Sequence, residues 1–417
     1  MTTIRPWRVA LQGAAALAAA MGVGRFVYTP ILPLMHAQAG LTVQLGSTLA
    51  TANYVGYLVG ALTAIAVPRA VRSRTVLRAS LVVIIATLAL MPTTHSAAAW
   101  ITLRLLAGVA SALVFIVAVS VVLTTLRVHG QHLTGWAFGG VGAGIALSGA
   151  LVLALRGADT WRQAWWLAAA LSLVLAIPAW MLRTSDVGVS STTSAAASEP
   201  SRGRVSRHFV ALFTAYSLEG IGYIIAGTFL VAAIDQTAPR WAGTGAWVLA
   251  GLAALPSSAL WAGLSRVWSR PTLLAAALLI QALGIALPAL VGGIGPALVS
   301  AAAFGATFVG ISTLTLATGA HLGAPRAVAT LSTGYGVGQI AGPLLVTPLL
   351  HNGYHEALLI AAAILLVAAA TAGFARHRFP HHLGPLPSRV RDRHAAGRGV
   401  TRITGGSEIA ANVGARG

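Results

Sequence analysis

Twelve long apolar stretches dominate the sequence, and each has the length of a membrane-spanning helix. A helix that crosses the hydrocarbon core of a bilayer needs roughly 20 mostly apolar residues. Glycine, proline and arginine separate the stretches, which we place at 9–35, 43–67, 75–94, 98–125, 132–155, 163–183, 208–234, 241–264, 272–292, 296–319, 326–350 and 354–375. Only 8% of the 417 residues are charged, whereas soluble domains carry about 25%. The pattern predicts an all-α integral membrane protein with twelve transmembrane helices.

The basic residues, all of them arginine, predict the orientation. With the N-terminus inside, 22 of the 27 arginines fall on the cytoplasmic side, three on the opposite side and two within spans. This bias follows the positive-inside rule. Most of the net charge of +19 therefore lies at the membrane rim and in the tail, where we expect contact with membrane lipids rather than nucleic acid. We predict a multi-pass protein of the inner (cytoplasmic) membrane with both termini in the cytoplasm.

The chain divides into two halves of six spans. A Ser-, Ala- and Pro-containing segment at 184–207 is typical of a flexible linker. It separates an N-terminal six-helix bundle, 1–183, from a C-terminal six-helix bundle, 208–376. The remaining residues, 377–417, are rich in Arg, His, Gly and Pro and are predicted to form a disordered basic cytoplasmic tail.

The two halves also resemble each other. Gly140-Val-Gly142-Ala-Gly144 in the fifth span returns as Gly334-Tyr-Gly-Val-Gly338 in the eleventh, 194 residues later. Parallel six-helix repeats are a transporter architecture, with the substrate site at the membrane midplane between the halves. We therefore predict two pseudo-symmetric bundles, and we interpret most of the glycines as small-residue faces that let helices approach closely.

Three ionisable residues lie near the middle of spans: Arg25, Arg104 and Glu219. Charge inside a membrane is costly, so such residues usually face a cavity or a partner. Arg25 and Glu219 are separated by the repeat offset of 194, which predicts that they face each other across the two halves. Glu219 is the group that can change charge, because arginine stays protonated; a permanent pair that locks the halves together is the alternative. Arg104 can also reach partway toward the headgroups.

Aromatic and amide side chains in the spans are candidates for the wall of a substrate cavity, since transport sites combine aromatic surfaces with a few polar groups. Hydrogen bonding between helices is the alternative for the amides. The candidates are Tyr28, Asn53, Tyr57, Tyr223, Tyr335 and Gln339.

Several chemistries are disfavoured by composition. There is no cysteine for a disulfide or thiolate site, and no lysine for a phosphate-binding P-loop. No histidine lies near midplane, which argues against haem. An intramembrane transferase built on His95, His351, His355 and Glu356 is the competing interpretation, although scattered loop histidines are usually solvated. We therefore expect no enzyme activity, no cofactor and no metal.

Four segments resemble the major facilitator superfamily. Arg104-Leu-Leu-Ala-Gly108, followed by small residues in the fourth of twelve spans, looks like motif B, whose arginine is implicated in proton coupling in family members. The segments that resemble the YbfB/YjiJ branch are Gly22-Val-Gly-Arg25-Phe-Val-Tyr28-Thr-Pro30, Ala52-Asn53-Tyr-Val-Gly56-Tyr57 and Glu219-Gly-Ile-Gly-Tyr223. The resemblance extends from residue 9 to about 376 and implies the major facilitator fold.

Two family motifs are altered. Motif A, normally Gly-x-Leu-x-Asp-Arg-x-Gly-Arg, lacks its acid here, and motif C has Ser148-Gly149 in place of Gly-Pro, with Gly342-Pro343 in the eleventh span instead. The first change removes the aspartate of the family gating network, and the second weakens the inference of export. The gating-loop candidates are Arg69, Arg72, Arg74, Arg266 and Arg270.

These observations predict a monomeric secondary active transporter that moves a small solute by alternating access. We expect coupling to protons through Glu219, tuned by Arg25 and Arg104. The resemblance favours efflux. Uptake of a metabolite is the alternative direction, and a membrane sensor that transports nothing is the alternative of another class.

Overall fold

Twelve long helices make up the described part of the chain. The computed structural model describes residues 5–67, 69, 73–126, 131–155, 160–183, 202–322, 324, 327–376 and 379, and no strand occurs among them. The helices are α1 (Pro6–Gln38), α2 (Val43–Ala66), α3 (Arg74–Leu90), α4 (Ala97–Leu126), α5 (Gln131–Ala154), α6 (Thr160–Trp180), α7 (Arg202–Asp235), α8 (Arg240–Leu264), α9 (Arg270–Leu290), α10 (Ile294–His321), α11 (Ala327–Val346) and α12 (His355–Ala375). Eleven of them are long and apolar enough to cross a membrane, and the glycine-rich α11 has 20 residues. The predicted all-α membrane fold is confirmed.

Local sequence signals explain where several helices begin. Thr42, Ser73 and Ser269 are N-caps, and each side chain accepts a hydrogen bond from the backbone N–H three residues later. Ser73 and Ser269 precede α3 and α9, which are equivalent helices of the two halves. Gly353 precedes α12 with a φ of 114°, a conformation that favours glycine. The equivalent helices α3 and α9 thus begin with the same capping residue.

Helix packing repeats with an offset of six helices. In the N-terminal half α1 packs on α5, α2 on α4 and α3 on α6; in the C-terminal half α7 packs on α11, α8 on α10 and α9 on α12. Between the halves, α5 packs on α8, α2 on α11 and α1 on α7. The fold is therefore two pseudo-symmetric six-helix bundles joined along three helix pairs.

The glycine faces serve packing, as predicted. In α5, Gly144 lies against the backbone of α1, while Gly142 faces α8, where an added Cβ would lie 2.6 Å from the carbonyl oxygen of Gly251. In α11, Gly338 lies against the backbone of α7, while Gly336 faces Leu58 of α2. The repeated motif thus makes one contact within its own half and one with the other half, at equivalent positions.

Two predicted boundaries differ from the structure. The linker was predicted to reach residue 207, but α7 begins at Arg202, because its first residues continue the helix beyond the apolar stretch. Phe379 lies in the predicted disordered tail, yet its ring packs against those of His208 and His321. Residues 184–201 and the rest of the tail lie outside the described residues.

We refer to the two ends of the bundle by position. The terminal face contains the first residues of the odd-numbered helices, such as Pro6 of α1 and Arg202 of α7. The far face contains their last residues, such as Gln38 and Asp235.

Candidate functional site

The first helix is interrupted in the middle of the bundle. A regular α-helix ends at Leu17, a π-helical segment covers Ala18–Val23, and turns at 24–27 precede the second helical part, Tyr28–Gln38. Proline at 30 lacks the backbone N–H that a continuous helix would need. Backbone that is not helical at membrane depth must find partners within the protein. The interruption therefore exposes carbonyl groups that another helix has to satisfy.

Arg104 on α4 satisfies two of these carbonyls. Its Nη1 donates to the carbonyl oxygen of Gly24 at 3.4 Å, and its Nη2 donates to that of Arg25 at 3.3 Å. The guanidinium group also lies over the ring of Tyr28, 4.8 Å from its centre. Only 2% of Arg104 is exposed, so the arginine points into the bundle and does not extend toward the headgroups.

Asn53 supports Arg104 from α2. Its Nδ2 donates to the backbone carbonyl of Arg104 at 2.9 Å, which is the interhelical hydrogen bond that we considered as the alternative to a cavity role. Tyr28 is similarly engaged, since its hydroxyl donates to the carbonyl of Gly46 at 2.8 Å. Asn53 and Tyr28 therefore belong to the framework around Arg104.

Arg25 lies among aromatic rings at the interface of the two halves. Its guanidinium carbon is 4.4 Å from the centre of the Tyr57 ring, 5.0 Å from that of Tyr54 and 5.3 Å from that of Phe26. Aromatic faces attract such a cation, more strongly where water is absent. Its Nη2 donates a hydrogen bond to Oε1 of Gln339 on α11. Arg25 thus links the N-terminal half to the C-terminal half.

Glu219 is buried on α7 without a partner. Its side chain is 0% exposed, and neither carboxylate oxygen makes a hydrogen bond within the described part of the chain. The prediction that Arg25 and Glu219 face each other as a pair is not supported, because Arg25 is held by the rings of α2 and by Gln339. The offset of 194 gives the two residues equivalent positions, but it does not pair their side chains.

A column of stacked rings lies within electrostatic range of Glu219. Tyr216 stacks on Tyr335 at 4.4 Å, and Tyr335 stacks on Tyr223 at 5.6 Å. Tyr223 continues the column to Phe308 at 5.8 Å. Glu219 acts electrostatically on all three tyrosines, and Arg25 acts on Tyr223 and Tyr335. These two tyrosines are therefore within electrostatic range of both the acidic and the basic residue.

The sequence analysis missed Tyr54 and Tyr216. Tyr216, Glu219 and Tyr223 follow the i, i+3, i+7 spacing of one helix face, which is the signal that identifies Tyr216. Tyr54 and Tyr57 are likewise three residues apart on α2. Both missed residues lie within one turn of a predicted site residue.

Hydrogen bonds close the space between the halves toward the far face. The hydroxyl of Thr29 donates to the carbonyl of Gly227 at 2.5 Å, and the Tyr54 hydroxyl lies 2.7 Å from that of Thr228. Ser47 contacts Pro343 and Thr347 on the other half. These bonds lie between the level of Arg25 and the far face.

A histidine and a tyrosine join the halves at the far face itself. Nδ1 of His36 lies 2.6 Å from the carbonyl oxygen of Leu41 and therefore donates to it, because a carbonyl only accepts. The other ring nitrogen, Nε2, lies 3.2 Å from the hydroxyl of Tyr354. The Tyr354 backbone N–H in turn donates to Gln236 at 3.1 Å.

The loop arginines that the structure describes lie at the terminal face. Arg270 begins α9, and its Nη1 donates to the carbonyl of Ala317 near the C-terminal end of α10 at 3.2 Å. Arg74 begins α3 at the equivalent place. Arg69 and Arg266 are exposed, and Arg72 lies outside the described residues. The structure thus places Arg74 and Arg270 at helix starts, and the gating role of the loop arginines stays a prediction.

The histidines of the competing enzyme interpretation do not form a metal-binding group among the described residues. Nε2 of His95 lies 2.8 Å from Nη2 of Arg162, and its ring packs on Trp161. Within the residues that the structure describes, no cluster of three potential metal ligands occurs.

The fold and the buried site between its halves define a two-bundle membrane transporter. Residues 17–372 match the model of a family described as uncharacterised MFS-type transporter YbfB, so the chain belongs to this family of the major facilitator superfamily. It is a secondary transporter of small solutes and not an enzyme.

Comparison with solved structures agrees on the fold. A crystal structure of the nucleoside transporter NupG, in an aspartate-to-alanine mutant form, matches with a TM-score of 0.66 over 89% of this chain and 100% of that chain. The two sequences are 13% identical, so the likeness concerns the fold alone. A search of curated proteins finds no match to the sequence.

Proposed function

We propose that the chain exports a small solute across the cytoplasmic membrane in exchange for protons, with both termini in the cytoplasm. The observation that carries this proposal is Glu219, a fully buried carboxyl group without a hydrogen-bond partner among the described residues. A charged carboxylate in that position is costly, whereas its protonated form is neutral. The side chain can therefore gain and lose a proton as the site opens to one side or the other.

The basic residues near the site have different roles in this proposal. Arginine remains protonated at any working pH, so Arg25 and Arg104 cannot carry the coupled proton. Arg104 holds the interruption of α1, and Arg25 connects α1 to α11 through Gln339. Both residues therefore set the geometry of the helices around Glu219 rather than exchange the proton themselves.

The contacts between the halves support alternating access. The hydrogen bonds of Thr29, Ser47, Tyr54 and His36 to the C-terminal half all lie on the far side of Arg25. They have to break when the site opens toward the far face. With the terminal face in the cytoplasm, as the arginines favour, the structure corresponds to a state closed to the outside.

Reconstitution in liposomes with an imposed pH gradient and a panel of solutes tests the proposal. The wild-type protein should move a solute against its gradient when protons flow the other way. Glu219→Gln should lose this dependence on the pH gradient while staying folded and still equilibrating the solute. Glu356→Gln, at an exposed acid that begins α12, is the matched control and should behave as the wild type. Unchanged proton dependence in Glu219→Gln would exclude this role, and absence of flux for every solute would favour a sensor.

The same experiment distinguishes the two directions. Accumulation of solute in the compartment from which protons leave indicates exchange and therefore export. Accumulation in the compartment that protons enter indicates uptake with protons, which is the alternative direction.

A further inference from the structure

We propose that the solute is an organic anion whose acidic group binds at Arg25 and Gln339. The proposal rests on the transport function and adds a class of substrate to it. It starts from the charge in the middle of the bundle, where Arg25 and Arg104 are 3% and 2% exposed. Their two guanidinium groups act on each other electrostatically.

No carboxylate balances these two charges within the described chain. Glu219 forms no ion pair with either arginine, and the other acids described are Asp235 at the end of α7 and Glu356 at the start of α12. Two positive charges thus face at most one negative charge at membrane depth. A buried charge without compensation is costly, and an anionic solute reduces the imbalance whether Glu219 is protonated or not. A cationic solute would increase it.

Arg25 is the arginine whose unused donor lies at the interface between the two halves. Arg104 donates from both of its Nη atoms to the carbonyls of Gly24 and Arg25. Its Nε also has no partner among the described residues, but the groups that Arg104 contacts all belong to the N-terminal half. Nη2 of Arg25 donates a hydrogen bond to Gln339, whereas Nε of Arg25 has no partner among the described residues. Nε2 of Gln339 is likewise buried without an acceptor in this part of the chain. These donors belong to opposite halves, and carboxylates accept such hydrogen bonds strongly.

The aromatic rings around these donors favour an anion that also carries an apolar group. Tyr57 and Tyr54 lie against Arg25 from the N-terminal half, and Tyr223 and Tyr335 lie on the other half within its electrostatic range. Sites of this kind hold the apolar part of a ligand by aromatic surface and orient it through a few polar groups. An aromatic monocarboxylate fits both requirements.

Thermal unfolding of the purified full-length protein tests the proposal with three probes that share one ring: benzoate, benzamide and benzylammonium. Benzoate should raise the melting temperature saturably, because a ligand that binds the folded state stabilises it. The neutral amide and the cation should not. Arg25→Gln should abolish the benzoate shift, Gln339→Ala should weaken it, and Arg8→Gln, at an exposed arginine of the terminal face, should leave it unchanged.

The outcomes separate this proposal from the proposed proton coupling. Equal shifts for benzoate and benzamide, or a benzoate shift that persists in Arg25→Gln, would overturn it. A benzylammonium shift that disappears in Glu219→Gln would assign a cation to the site and overturn it too, while leaving proton exchange at Glu219 intact. If Arg25→Gln does not fold, Arg25→Lys replaces it: the amine keeps the charge but loses Nε, and an unweakened benzoate shift in that variant contradicts the proposal.

Discussion

Arg25 on α1 donates a hydrogen bond to the side chain of Gln339 on α11, and this bond joins the two halves in the middle of the membrane. The residue that shares the repeat position of Arg25, Glu219, takes no part in it. The two halves are therefore similar in fold but different in polar chemistry. The basic residue is hydrogen-bonded across the interface, whereas the acidic residue makes no side-chain hydrogen bond among the described residues.

The hydrogen bond from Arg25 predicts that two buried glutamines respond differently to removal of the amide. Gln339→Leu should lower stability by about 1.5–3 kcal/mol, the value of a hydrogen bond to a charged group. Gln281→Leu is the matched control, because Gln281 is equally buried but neither of its amide atoms has a partner among the described residues. That change should be neutral or stabilising. Thermal unfolding of both variants measures the difference, and equal losses would mean that the bond to Arg25 contributes nothing.

The fold could be predicted from the sequence because the bilayer imposes it. Every backbone polar group in hydrocarbon needs an internal partner, so long apolar stretches have to form helices. The offset of 194 between Gly140 and Gly334 likewise identified the equivalent helices α5 and α11. The start of α7 at Arg202 could not be predicted, because hydropathy locates the apolar part of a helix and not its polar extension.

The sequence predicts how deep the site residues lie in the membrane, but not which side chains contact each other. Sequence position places Arg25, Arg104 and Glu219 in the middle of their spans, but it does not give the rotation of each helix. The bond between Arg25 and Gln339 depends on how α11 turns toward α1, and the Arg104 contacts depend on the interruption of α1. Gly24 and Pro30 indicate an irregular backbone there. The carbonyls of Gly24 and Arg25 that accept hydrogen bonds from Arg104 are visible only in the structure.

Arg104→Ala should reduce turnover strongly while leaving expression intact. The carbonyls of Gly24 and Arg25 lose their partner, so the interruption of α1 no longer holds Arg25 in place. Arg104→Lys should recover only part of the activity, because a point charge cannot replace the planar fork that reaches both carbonyls. The measurement is solute flux in liposomes per folded protein. Normal flux in Arg104→Ala would reduce the residue to a packing role.

The close contact of α2 and α4 predicts a large effect for a single methyl group. An added Cβ at Gly56 would collide with the backbone carbonyl of Leu105. Gly56→Ala should therefore lower stability by about 1–3 kcal/mol, as overpacking does. Gly245→Ala in α8 is the control, because its nearest neighbour is the ring of Trp241 at 3.7 Å, and alanine there should gain up to about 1 kcal/mol of helix propensity. Thermal unfolding checks the pair, and equal melting temperatures would contradict the packing account.

The far-face hydrogen bonds predict which changes open the protein on that side. Tyr54→Phe together with Tyr354→Phe removes the hydroxyls that bond to Thr228 and His36 across the halves. The chain has no cysteine, so Ala50→Cys introduces one reporter; Ala50 is buried on α2. A maleimide that cannot cross membranes should label this cysteine several-fold faster in the double variant, because the closed state has lost two contacts that the open state does not need.

Thr63→Val, which removes a hydroxyl bonded within its own helix, is the control and should leave the labelling rate unchanged. Equal labelling rates in the double variant and the parent would show that these bonds do not hold the far face closed.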